Sequence, residues 1–188
     1  IMKTRKNRVS KRKYWFLYCT LFFIIAIIIF LPFFLKGNSF VRDGDGFNQT
    51  YPVLIYISRY LHDFVHDGFP LKQFDFTLGL GENVLTALSW LGVGDIFTVF
   101  SVLASPEKMD YMFSFIVVMK IFCGGVNFSF YAMHCGFKKK YILIGALLYA
   151  FSRFPLVNGL EFYQNLNPYV WTPLLALGID QIIERYLE

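Results

Sequence analysis

Charge is scarce in this sequence. Only 16% of its 188 residues are Asp, Glu, Lys or Arg, against roughly 25% in soluble domains. Cysteine is scarce as well. Cys19 and Cys123 fall inside apolar runs and Cys135 just after one. Their spacing matches neither a metal site nor a disulfide framework, so they read as small apolar residues. No internal repeat or low-complexity tract is present. The first apolar run is expected to be an uncleaved span rather than a leader: it ends Leu31-Pro32-Phe33-Phe34-Leu35-Lys36, with no small-x-small site after it. The net charge of +5 does not point to nucleic acid, because seven of the 18 basic residues crowd into the first thirteen positions (Lys3, Arg5, Lys6, Arg8, Lys11, Arg12, Lys13). Outside that cluster there is no basic patch on a folded scaffold.

What is abundant is apolar surface. Hydrophobic residues make up 56% of the chain, aromatics 20%, and Phe alone occurs 23 times. A soluble domain of this size cannot hide so much; a protein facing lipid has no need to. The expected fold class is therefore all-α integral membrane, a multi-span helical bundle. Residues 14–35 carry no charge and as a helix cover about 30 Å, the thickness of a hydrocarbon core. The basic tail, 1–13, then sets the N-terminus inside and the first span outward.

Residues 36–110 form a large loop on the far side. It holds nine of the 13 acids and five basic residues. Within it, 51–66 reads as an amphipathic interfacial helix, with Val53, Leu54, Ile57, Leu61, Phe64 and Val65 on one face and Arg59, His62, Asp63 and His66 on the other. Thr50 is its expected cap, and Pro52 fits in its first turn. The segment 84–104 is long enough to span, but Gly92, Gly94 and Asp95 interrupt it. If it crossed, Lys138–Lys140 would lie outside, so it is read as interfacial or re-entrant. Three further spans follow, at 111–133, 141–157 and 169–183, which places the triple lysine inside.

The sharpest chemical feature is Arg42-Asp43-Gly44-Asp45-Gly46-Phe47-Asn48-Gln49. Its glycines allow a tight turn that presents both carboxylates, either to a divalent cation or as a general base, and a plain solvated turn fits the spacing equally. Asp75 and Glu82 bracket a second glycine-rich turn. His62 and His66 stand four apart, a spacing that suits a metal, but no third ligand is evident, so they read as surface residues. Lys120 falls mid-span, to snorkel or face a polar cavity, and Asp95 is an acid near the bilayer. Arg153 sits toward the outer end of its span, as an interfacial anchor or a partner for a lipid phosphate or loop acid. Glu161, Gln164 and Asn165 are polar groups beside the outer surface.

Taken in order, these residues resemble the N-terminal part of the YfhO family of bacterial multi-pass membrane proteins. The resemblance rests on Asp-Gly-Asp-Gly-Phe-Asn-Gln-x-Tyr-Pro at 43–52, Phe74-Asp75-Phe76-x-x-Gly79-Leu80-Gly81, Gly94-Asp95, Leu148-Tyr149-Ala150-Phe151-Ser152 and Trp171-x-Pro173-Leu174-Leu175. Family members are usually several times longer, so the resemblance implies an N-terminal portion of such a protein. It further implies an arrangement like that of GT-C glycosyltransferases in the bacterial plasma membrane, with essential acids in the first outer loop. A sugar on a polyprenyl phosphate would pass to a cell-wall polymer such as teichoic acid. Asp45, with Asp43, would activate the acceptor hydroxyl or help hold a divalent cation. Gln49, Asp75, Glu82 and Gln164 would bind substrate, and Arg153 would balance the leaving lipid phosphate. The competing classes are a transporter or flippase of lipid-linked intermediates and a non-catalytic membrane assembly protein.

Overall fold

A computed structural model describes residues 11–67, 72–92 and 94–187. Of the expected basic tail, Lys11, Arg12 and Lys13 are among them. The first helix, α1, runs Lys11–Leu35. Its buried residues are Tyr14, Tyr18, Phe22, Ala26 and Phe30. They recur every fourth residue, so one stripe faces protein while the rest of the apolar surface is left for lipid.

The partner of that stripe is α4, Met109–His134. Tyr14 Oη donates to Ser129 Oγ at 2.8 Å, Tyr18 Oη to the Phe122 carbonyl at 3.0 Å, and the Phe40 N–H to Ser114 Oγ at 2.9 Å. As α1 advances its partners on α4 recede, so the two helices are antiparallel. The close approach uses small residues: a Cβ on Gly125 would strike the Tyr18 hydroxyl.

After Lys138 the chain returns as α5, Lys139–Ala150, whose Tyr149 ring stacks on Phe128 of α4 at 5.1 Å. The expected unbroken span over 141–157 is not continuous. Ser152 is extended (ψ 165°), and a separate short helix, α6, follows at Arg153–Asn158.

The last helix, α7, is Leu166–Leu187. Lys120 Nζ bonds Asn167 Oδ1 at 2.7 Å, Asn127 Nδ2 bonds the Val170 carbonyl at 2.8 Å, and His134 Nε2 lies 3.4 Å from Glu184. Both sequences advance together, so α7 runs parallel to α4. Pro173 cannot donate to the Tyr169 carbonyl one turn back, and Tyr149 Oη donates to that carbonyl instead, at 2.7 Å.

Among the described residues, three stretches are long and apolar enough to cross a membrane: Lys11–Leu35, Pro106–His134 and Lys139–Asn158. The segment expected as a fourth span, 169–183, lies within α7 but is not one of them. Asp180 and Gln181 interrupt its apolar run.

The loop region gathers at the end of the bundle where α1 finishes and α4 begins. It contains α2, Tyr51–Asp67, and α3, Val84–Leu88. A two-residue antiparallel ladder pairs β1, Phe74–Asp75, with β2, Glu82–Asn83. Thr50 does not cap α2: a π-helical turn over Gly46–Thr50 runs straight into it, and the Thr50 hydroxyl is buried without a partner. Leu54 and Ile57 on the expected apolar face are buried, but Val65 is exposed. What covers that face is protein. Ile57 packs in a cluster with Val84, Leu88 and Leu91, and Ser58 Oγ donates to the Ser101 carbonyl at 2.8 Å. The segment 84–104 therefore folds as α3, a turn and a 3-10 helix at Thr98–Leu103, packed under α2.

Candidate functional site

The site begins where α1 ends. The chain folds back so that Phe40 is buried between Phe30 and Phe34, and it then enters the Asp43–Gly46 turn. Gly44 takes φ 98°, a conformation open to glycine and strained for other residues. The Phe47 N–H donates to the Arg42 carbonyl and the Asn48 N–H to the Gly44 carbonyl, each at 2.9 Å, which fixes the turn through its backbone. The Asp43, Asp45 and Gln49 side chains take no part in this and are exposed. Neither carboxylate has a hydrogen bond or ion pair among the described residues.

The turn lies against the chain that follows α6. A Cβ on Gly46 would sit 3.5 Å from the Glu161 carbonyl oxygen and 3.6 Å from that of Leu160. Close by in the chain are buried polar groups without partners. Thr50, four residues after Gly46, is fully buried, and Gln164, three after Glu161, is 5% exposed with both amide atoms unpaired. One oxygen of Asp110, at the start of α4, is also buried and unpaired. Buried polar atoms of this kind cost free energy unless water or a ligand meets them.

Asp75 and Glu82 stand apart from this group. They face each other across the two-residue ladder, and Asp75 is held by Tyr56. Tyr56 lies eleven residues along the helical path from Asp45, roughly 16 Å at 1.5 Å per residue. Asp75 accepts from the Thr77 N–H and Oγ1 and from Tyr56 Oη, each at 2.8 Å, and pairs with Lys72 at 3.0 Å. The Thr77 backbone N–H first, then Lys72, hold its carboxyl well below the usual range, while burial and the same carboxylate push the Tyr56 hydroxyl up. Asp75 is thus occupied in closing its hairpin, whereas Glu82 is exposed. Arg153 is exposed at the start of α6, with no ion pair among the described residues. The His62 and His66 rings lie 4.3 Å apart on the exposed face of α2. No three His, Cys, Asp or Glu side chains converge among the described residues. Asp43 and Asp45 offer two carboxylates, a set that holds Mg²⁺ when phosphate oxygens and water complete the shell.

Lys120 neither snorkels nor faces a cavity. It is fully buried, and its three protons go to Asp95 Oδ2, to the Tyr163 carbonyl at 2.9 Å and to Asn167 Oδ1 at 2.7 Å. Asp95 Oδ1 accepts from the Phe97 N–H at 3.0 Å. Tyr163 Oη completes the knot by donating to the Leu91 carbonyl at 3.1 Å. This network ties the 91–97 turn to α4 and α7, about 17 Å along α4 from its first residue. Sequence reasoning flagged both ions singly. Their pairing gave no local signal.

The family model described as "Bacterial membrane protein YfhO" matches residues 19–186. No curated protein and no solved structure matches the chain.

Proposed function

The chain belongs to the YfhO family of bacterial membrane proteins, and on that premise we propose that it serves a membrane glycosyltransferase. In this reading a sugar moves from a polyprenyl-phosphate donor to a cell-wall polymer such as teichoic acid, on the outer side of the plasma membrane. The observation that carries it is the Asp43–Gly46 turn, which presents two exposed, unpaired carboxylates just past the end of a membrane helix.

Asp45 takes the proton of the acceptor hydroxyl as its oxygen attacks the anomeric carbon, and the bond from that carbon to the phosphate oxygen breaks. The lipid phosphate leaves with the bonding pair, and a guanidinium at the outer surface offsets its growing charge. Asp43 assists beside Asp45; if a divalent cation takes part, Asp43 and Asp45 would hold it and it would supply charge stabilisation. Gln49, which is exposed, offers hydrogen bonds to sugar hydroxyls, whereas the Gln164 amide is buried inside the fold and does not reach a sugar at the turn. Glu82 and Asp75 belong to the separate hairpin, which Asp75 holds closed. A transport path would draw on ionisable groups inside the spans, but Lys120 is fully committed to Asp95, Asn167 and Tyr163.

The test is complementation of a strain lacking the gene with the full-length gene, wild type or Asp45→Asn, at matched membrane levels. Asp45→Asn is expected to lower polymer glycosylation by about 10²–10⁴-fold, the usual contribution of a general base. Equal restoration by both would make Asp45 a turn residue. Failure of both would bring the flippase and assembly readings forward.

A further inference from the structure

The fold-back after α1 leaves a groove of about 370 Å³ between the end of α1 and α6. Phe33, Phe40 and Val41 form one wall and Leu156, Val157 and Leu160 the other; Ser39 and Arg42 are its polar members. The volume lies within the usual range of small-molecule sites. Hydrocarbon and aromatic walls at the end of a membrane helix suit an apolar chain. The Arg42 side chain is exposed and has no hydrogen bond or ion pair among the described residues. Arg153, likewise unpaired, precedes Leu156 and Val157 by three and four residues, so it stands on the same face of α6 as that wall. Guanidinium groups bind phosphate oxygens two at a time.

We infer that this groove binds a single-chain prenyl phosphate, with the chain between α1 and α6, Arg42 on the phosphate and Arg153 beside it. The inference rests on the lipid-linked donor proposed above and gives it a location. Arg42 adjoins Asp43 in the chain, so a phosphate held there lies beside the candidate acids. Those same acids offset the arginine charge. Neither a free phosphate nor an uncharged chain satisfies the site alone: affinity needs both parts of the ligand.

The test uses the full-length protein in phosphatidylglycerol-containing nanodiscs, photolabelled with a diazirine-tagged long-chain prenyl phosphate and mapped by mass spectrometry. Labels are expected within residues 33–42 and 156–160. Untagged prenyl phosphate should compete, and prenyl alcohol, inorganic phosphate and added phosphatidylglycerol should not. Arg42→Ala should lower labelling about tenfold, the loss expected for one charge-assisted contact. Val157→Trp, at a position 42% exposed, keeps the guanidinium but fills the groove and should abolish labelling. Labels elsewhere, equal competition by phosphatidylglycerol, or labelling unchanged in both variants would each overturn the inference. Labelling as expected, with transfer intact in Asp45→Asn, would keep the groove and remove the catalytic assignment. Loss of transfer in Asp45→Asn with no label in the groove would do the reverse.

Discussion

Lys120 shows how one residue can decide whether a membrane loop holds its place. A buried cation is tolerable when each donor is met, and here all three are. The arrangement joins three distant stretches: the 91–97 turn, mid-α4 and the start of α7. Removing one partner leaves the other charge stranded, at a cost of about 3–5 kcal/mol. Lys120→Met is therefore expected to lower the Tm of the purified protein in detergent sharply, since Asp95 stays buried with no cation. Lys120→Met combined with Asp95→Asn should recover most of the loss. The amide keeps an oxygen for the Phe97 N–H, and no unpaired charge remains. A double variant as unstable as the single one would show that the ion pair itself, and not the stranded charge, sets the cost.

At the scale of elements, glycines govern how closely helices approach, and two of them predict opposite outcomes. A Cβ on Gly125 meets the Tyr18 hydroxyl and lies 3.0 Å from the Ala146 carbonyl oxygen, whereas one on Gly178 of α7 meets nothing within 4 Å. Gly125→Ala should destabilise by about 1–3 kcal/mol through overpacking between α4, α1 and α5. Gly178→Ala should be neutral or stabilising, by up to about 1 kcal/mol, because it only improves helix propensity. Thermal unfolding of both in the same detergent checks the pair; similar Tm shifts of one sign would refute the packing. Much at this scale was legible in the sequence. The run over 14–35 has no charge to misread, and α2 carries its apolar face at helical spacing. The break at Ser152 had a local signal that the apolar run masked: Pro155 cannot donate to the Phe151 carbonyl one turn back, and Ser152 stands at the N-cap of the new helix. Thr50 has the chemistry of a cap, but helical structure already begins at Gly46, which leaves no N-cap position for it to fill. The site divides in the same way. The glycines announce the Asp43–Asp45 turn. By contrast, Asp95 finds Lys120 across 25 residues and Lys120 finds Asn167 across 47. The groove joins Arg42 to Leu156–Leu160 by folding alone.

For the whole molecule, the helix directions and the charges agree on a single topology. Antiparallel α1 and α4, with α7 parallel to α4, put the end of α1 and the starts of α4 and α7 together on the loop side. Lys11, Arg12, Lys13 and Lys138–Lys140 gather at the opposite end. Phe16, Phe23, Ile27 and Ile28 on α1 and Leu175, Ile179 and Ile182 on α7 are exposed. Apolar belts of this kind need lipid or further protein around them. Basic ends face the cytoplasm, so the acids at 43–45 are expected outside. The native cysteines provide the probe. Cys135 is exposed at the basic end, just past α4, while Cys19 and Cys123 are half-buried inside the bundle. A membrane-impermeant maleimide applied to intact cells should leave Cys135 unmodified and should modify it once the membrane is permeabilised. Leu80→Cys, on the loop side at a fully exposed position, should react in intact cells. The reverse pattern would turn the protein over and place the Asp43–Asp45 turn in the cytoplasm. An outer-leaflet transfer would then be impossible, whatever the chemistry of that turn.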